Sequence, residues 1–181
     1  MSTIILVTGP ARSGKSEWAE SLAQQYPRVT YIATAILTPD DAEWNNRITL
    51  HQQRRPQNWQ TWEIPQDLST AITQAKPPGC LLVDSLGTWI ANLLEEDELS
   101  WQQIQTELLI TLQSSPLTII LVAEETGWGV VPSYPLGRQF RDRLGTLVRE
   151  LGQIANTTYL VTAGHVLNLT KIATPLSSSL E

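Results

Sequence analysis

Five short apolar, β-branched runs recur along the chain: Ile4 to Thr8, Val29 to Ala33, Cys80 to Asp84, Leu117 to Ala123 and Tyr159 to Thr162. Runs this continuous predict strands buried on both faces, and the segments between them have helical spacing. That alternation predicts an α/β fold, a mostly parallel sheet covered by helices on both faces. Ser16 to Gln25, with Trp18, Leu22 and neighbouring alanines, suits a helix packed on the sheet. A second helix is expected from Asp40 and Asp41, after Pro39, through Arg47, Ile48 and His51 toward Arg55, where Pro56 ends it. Gln66 to Ala75 predicts another, closed by Pro77-Pro78-Gly79. Ser100 is the expected cap of a helix from Trp101 to Gln113. The segment from Leu136 through Leu151 keeps apolar residues at helical spacing, with Gly145 as its weak point, since glycine costs about 1 kcal/mol there relative to alanine. Residues 1–171 read as one domain, and 172–181, with Ser177, Ser178 and Ser179 together, as a frayed end.

Charge narrows the choice of partners. Twelve basic and 18 acidic residues give a formal charge of -6, so the chain lacks the broad basic surface that nucleic acid requires, and any phosphate site must be local. The single cysteine, Cys80, lies in an apolar run and has no partner for an internal disulfide, which suits a reduced, cytoplasmic setting. No apolar stretch approaches the roughly 20 residues of a membrane span.

Gly9-Pro10-Ala11-Arg12-Ser13-Gly14-Lys15-Ser16 matches G-x-x-x-x-G-K-S/T, after a predicted buried strand and before a predicted helix. Gly9 and Gly14 allow backbone angles that turn successive N–H groups inward, and the helix start adds partial positive charge. Pro10 removes one N–H from that cradle. Lys15 is placed to reach β- and γ-phosphates, and Ser16 to offer its hydroxyl to a magnesium ion. Asp84, at the end of a buried strand, is read as the second magnesium contact, with a helix cap near Ser85 as the alternative.

His51 shares a helix face with Arg47 and Arg55, four residues to either side. A neutral imidazole can attack phosphorus or accept a proton, but the same pattern also describes a solvated helix face. His165, after Ala163-Gly164, is expected to serve loop structure. The seven tryptophans are read as core or interface area, with Trp59 and Trp62 near Glu63 as the pair that could stack on a base.

Taken together, these residues resemble the adenosylcobinamide kinase / adenosylcobinamide-phosphate guanylyltransferase family. The matching segments are Gly9 to Ser16; Tyr31-Ile32-Ala33-Thr34; Glu43 with Arg47-Ile48 and His51; Arg55-Pro56 with Trp59, Thr61 and Glu63; Leu82-Val83-Asp84; Glu125 with Gly127, Gly129, Val130, Val131 and Pro132; and Phe140-Arg141-Asp142 with Gly145. The resemblance implies a P-loop NTPase of RecA-like fold, assembled as a homotrimer, with Mg2+ as cofactor and GTP and ATP as substrates. It implies phosphorylation of adenosylcobinamide, then transfer of GMP to adenosylcobinamide phosphate through a guanylyl-histidine at His51, with Lys15 as the other catalytic residue. It carries nucleotide contact to Gly9, Pro10, Ala11, Arg12, Ser13, Gly14, Lys15, Ser16, Thr34, Ala35, Ile36, Gln52, Gln53, Arg54, Arg55, Glu63 and Asp84, and metal contact to Ser16 and Asp84. Departures are Leu50 and Gln52 where relatives place a second histidine, Glu124 where they place asparagine, and Leu147, Val148 and Arg149 at polar positions. None removes a residue with a bond-making role, although Glu124 adds negative charge near the expected phosphate site. The rival readings are a small-molecule kinase without a covalent intermediate and a regulatory nucleotide switch.

Overall fold

A computed structural model describes residues 3–37 and 40–176, leaving out the side chains of Arg47 and His51. Its elements run β1 (Thr3–Gly9), α1 (Lys15–Ala23), β2 (Val29–Ala33), α2 (Ala42–Arg54), β3 (Gln60–Glu63), α3 (Leu68–Gln74), β4 (Cys80–Asp84), α4 (Leu86–Ala91), α5 (Glu98–Ser114), β5 (Thr118–Glu124), α6 (Pro135–Ile154), β6 (Thr157–Thr162), β7 (His165–Asn168) and α7 (Leu169–Ile172). The strands form one sheet in the order β3-β2-β4-β5-β1-β6-β7, parallel except for β7. All five predicted strands are present. Four of them read clearly because they are buried on both faces, as a parallel sheet requires, while β6 is mostly half-buried and reads from its β-branched residues.

Alternate residues of those strands feed two apolar clusters. Val7, Tyr31, Leu82, Ile120 and Val122 pack with Ala19 and Ala23 of α1. Leu6, Ile32, Val83, Ile119 and Leu121 pack with residues of α3, α4, α5 and α6. Helices therefore cover both faces. Leu147, one of the departures from the family pattern, is fully buried in the second cluster, and Val148 packs against it. Cys80 is buried, which pushes its thiol up to about 12 and keeps it protonated.

The two edge strands were not predicted. Three of the four β3 residues are exposed, as are three of the four in β7, so neither carries an apolar run. His165, expected in a loop, instead begins β7. It pairs with Thr162 across a two-residue turn in which Ala163 and Gly164 both take positive φ, 49° and 73°, the backbone of a tight hairpin.

Helix α5 starts earlier than expected and Ser100 is not its cap. Asp97 is, its carboxylate accepting the Ser100 N–H at 2.8 Å, because a carboxylate just before the first turn reaches the N–H three residues on. Pro39 and residues 177–181 lie outside the described residues, and Ala173 to Leu176 continue past α7 without regular structure. Trp59 and Trp62 pack half-buried against the two core clusters, so both tryptophans serve the core rather than an open stacking surface.

Helix α6 runs uninterrupted through Gly145, and a Cβ built there meets nothing within 4 Å. Gly145→Ala should therefore stabilise the fold by about 1 kcal/mol, measured as a higher denaturant midpoint at unchanged slope. A lower midpoint would show that this face of α6 needs the bare backbone.

Candidate active site

The phosphate loop turns between β1 and α1, with Arg12 at φ 59° and Gly14, the residue preceding α1, at φ 90°. Gly14 holds a left-handed backbone that side chains disfavour. Gly9 is required for another reason: a Cβ there would run into the carbonyl oxygen of Val161 on β6 and into the Ser13 hydroxyl. Lys15 is 7% exposed, with Nζ 3.4 Å from the Pro10 carbonyl oxygen, so its ammonium points back over the loop.

Strand β5 lies between β1 and β4, which sets Asp84 at the carboxyl edge of the sheet, one strand away from the loop. The Ser16 hydroxyl donates to Asp84 Oδ1 at 3.4 Å, and the Tyr31 hydroxyl to Oδ2 at 2.9 Å. Tyr31 is buried; burial first, and the neighbouring Asp84 charge second, push its phenol well above the usual tyrosine range, so it stays a donor. The guanidinium of Arg55 stacks over the Tyr31 ring, 3.5 Å from its centroid. Asp84 itself does not cap the next helix. Ser85 does, its hydroxyl accepting the Thr88 N–H at 3.4 Å, which disposes of the alternative reading of Asp84.

A cleft of about 880 Å³ opens between this loop and α2, lined by Arg12 to Glu17 and by Asp41, Glu43, Trp44, Asn46, Leu50 and Arg54, with Gly164 at one side. Arg54 donates to Glu17 at 2.8 Å and to Glu20 at 3.4 Å on α1. Gln52 and Gln53 are exposed on α2. His51 lies on α2 between Leu50 and Arg54, and its side chain, like that of Arg47, is outside the described residues.

Thr34 is fully buried and all its polar groups are used: its hydroxyl donates to the Ser85 carbonyl at 2.8 Å and accepts the Ser85 N–H at 3.0 Å, its carbonyl accepts from Asn92 at 2.8 Å, and its N–H faces the Asp84 carbonyl at 3.5 Å. It fastens the end of β2 to the end of β4. Ala35 and Ile36 continue from it, Ile36 being 49% exposed. Glu63 is exposed at the end of β3, in register with Ala33, and is not among the residues lining the cleft.

Two carboxylates close the other flank. Glu125 accepts from the Thr8 hydroxyl at 2.7 Å, and its N–H donates to the Gly9 carbonyl at 2.9 Å. Glu124 accepts the Gly87 N–H at 2.9 Å, and a Cβ on Gly87 would collide with that carboxylate. The extra charge at Glu124 is thus held by a backbone donor. Sequence reading gave no role to Tyr31, Glu17, Glu20 or Gly87, because nothing local marks a residue whose partner is tens of positions away.

Ser16 and Asp84 together present two hard oxygen ligands, which suits magnesium, an ion that takes few protein ligands and completes its shell with phosphate and water. Among the described residues no group of three or more His, Cys, Asp or Glu could hold a metal.

A glycine-lined loop joining a buried strand to a helix, with an aspartate on a nearby parallel strand, defines a P-loop nucleotide-binding protein. Two solved structures share this fold: a Pyrococcus horikoshii OT3 protein at 10% identity, TM-score 0.54, covering 99% of this chain and 93% of that one, and a prototypical ATPase from the type III secretion system of pathogenic bacteria at 12% identity, TM-score 0.56, covering 94% and 53%. Within that class the chain belongs to the cobinamide kinase / cobinamide phosphate guanyltransferase family, whose profile matches residues 5–169. It is 37% identical over 176 residues to the bifunctional adenosylcobalamin biosynthesis protein CobU of Salmonella typhimurium, covering 89% of this chain and 96% of that protein. It is 40% identical over 162 residues to the corresponding CobP of Pseudomonas aeruginosa, covering 88% and 92%.

Proposed function

We propose that this chain phosphorylates the hydroxyl of the aminopropanol arm of adenosylcobinamide and then transfers GMP from GTP to the product through His51. In the first half the substrate oxygen attacks the γ-phosphorus of a nucleoside triphosphate, ATP or GTP, the bond to the bridging oxygen breaks, and the nucleoside diphosphate leaves. In the second, a neutral imidazole nitrogen of His51 attacks the α-phosphorus of GTP and pyrophosphate departs. The phosphate of adenosylcobinamide phosphate then displaces the histidine, giving adenosyl-GDP-cobinamide and restoring the free imidazole.

The observation that carries this reading is that Leu50 and Arg54, which bracket His51, line the same cleft as the phosphate loop. The loop N–H groups and Lys15 stabilise charge on the departing phosphates, the largest electrostatic demand in both halves. Magnesium, held by Ser16 and Asp84, would supply further neutralisation of phosphate charge. Ala35, Ile36, Gln52, Gln53 and Arg55 are assigned to the nucleotide. Glu63 is assigned to guanine, whose N1–H and amino group a carboxylate can accept together. Thr34 holds this segment in place, so its nucleotide contact runs through Ala35 and Ile36. The work is assigned to the cytoplasm and to a homotrimer; the exposed apolar run at Trp128, Val130, Val131 and Tyr134 is consistent with surface covered by another copy.

The test uses GTP labelled at the α- or the γ-phosphate, followed by acid and alkali treatment of the protein. Label from the α-position alone, lost in acid and stable in alkali, is the expected result. Label from the γ-position, or none from either, would rule the covalent route out.

A further inference from the structure

Helix α2 carries His51, yet among the described residues none of its side chains joins either apolar cluster of the core. A helix without a buried apolar face is located by its polar ties, because packing, the usual source of helix placement, is missing. At its start those ties are the Asp41 cap, which accepts the Trp44 N–H at 2.9 Å, and the Trp44 Nε1–H donating to the Ile36 carbonyl at 3.0 Å. At its end they are two consecutive arginines: Arg55 on Tyr31, and Arg54 on α1.

We infer that Arg54 is a positioning residue whose bridge to Glu17 and Glu20 braces the His51 helix against the helix leaving the phosphate loop, and that guanylyl transfer depends on this brace. The inference rests on the proposed role of His51. Nη1 meets Glu17 and Nη2 meets Glu20, three residues apart on one face of α1, so the planar fork is held at both tips and its direction is fixed. The Glu17 side chain is 66% exposed, and by itself that pair would add little. Glu20 differs, with its side chain 10% exposed. Burial raises its pKa above the usual carboxylate range, and Arg54 first and Arg55 after it oppose that rise, so Arg54 is the foremost of two guanidiniums that make a charged Glu20 tolerable there.

The geometry then forms a short rigid path. Lys15 opens α1 at the phosphate loop; Glu17 and Glu20 lie in its first two turns; Arg54 grips them; and His51 lies three residues upstream of Arg54, about 4.5 Å along the helix axis. Misplacing a reacting group by about 1 Å can lower a rate about a hundredfold, so an imidazole on a helix with no apolar anchor needs such a tie. This assigns Arg54 a task distinct from contacting nucleotide.

The test is a mutant cycle on full-length protein. Glu17→Ala with Glu20→Met removes the carboxylates, and Arg54→Ala the guanidinium. Each change is expected to slow appearance of α-label on the protein by at least about tenfold. The combined variant should be no slower than Arg54→Ala alone, as residues of one unit behave. Arg54→Lys should restore only part of the rate, since a point charge cannot span both carboxylates. Nucleotide-free hydrogen exchange of amides 42–54 should quicken about tenfold in the carboxylate variant, a direct reading of the helix that does not involve His51 chemistry. Carboxylate variants that label at the wild-type rate, or whose α2 amides keep wild-type protection, would overturn the brace. A wild type that takes no α-label would overturn the covalent histidine instead, while the exchange measurement would still decide the brace.

Discussion

Replacing His51 with alanine is expected to abolish the α-labelled protein and lower guanylyl transfer by about 10³-fold or more, because the reaction loses the nucleophile that divides it into two displacements. The same variant keeps the loop, Lys15 and the Ser16–Asp84 pair, whose hydrogen bonds run within the loop and to β4. Phosphorylation of adenosylcobinamide should therefore persist and separate the halves. Assaying both on one preparation makes the comparison internal: a matched fall would point to a shared binding defect, and undiminished guanylyl transfer would show that GMP passes directly between substrates. A small-molecule kinase without a covalent intermediate predicts instead that His51 is replaceable for phosphorylation and that neither wild type nor variant transfers GMP.

Lys15→Ala should instead disable both halves, by about 10² to 10³-fold, the usual size for removing one preorganised donor from developing charge. Lys15 is buried, and the only hydrogen bond described for its ammonium is to the Pro10 carbonyl at 3.4 Å, so little of the fold rests on it. What it leaves behind is a loop whose backbone donors face phosphate without a side-chain cation. Steady-state rates for each half-reaction, with thermal melting as the control for folding, check this. A variant that lost only one activity would mean that the two halves use different phosphate sites.

Much of this site was legible in the chain because its parts are local. The phosphate loop is eight consecutive residues whose glycines answer to backbone geometry, and Asp84 ends an unbroken apolar run. Membership of the family was legible for a different reason: many separated segments agree at once. The edge strands β3 and β7 were not legible, since half-exposed strands carry no apolar run, and the Ala163-Gly164 turn does not have the Asn-Gly or Asp-Gly form that announces a hairpin. Ser100 was misjudged as a cap because Asp97, three residues earlier, starts the helix sooner and accepts the N–H of Ser100 itself.

The sequence by itself determined the parallel α/β sheet and the phosphate loop, since these follow from runs and spacings short enough to act within one element. Only the tertiary structure decided that Thr34 is a buried bracket, that Glu124 is held by Gly87, that Tyr31 orients Asp84, and that Arg54 ties α2 to α1. Each of those is a contact between residues 34 to 53 positions apart. Such contacts exist only once the sheet order has brought their strands and helices together, and no local propensity encodes that order.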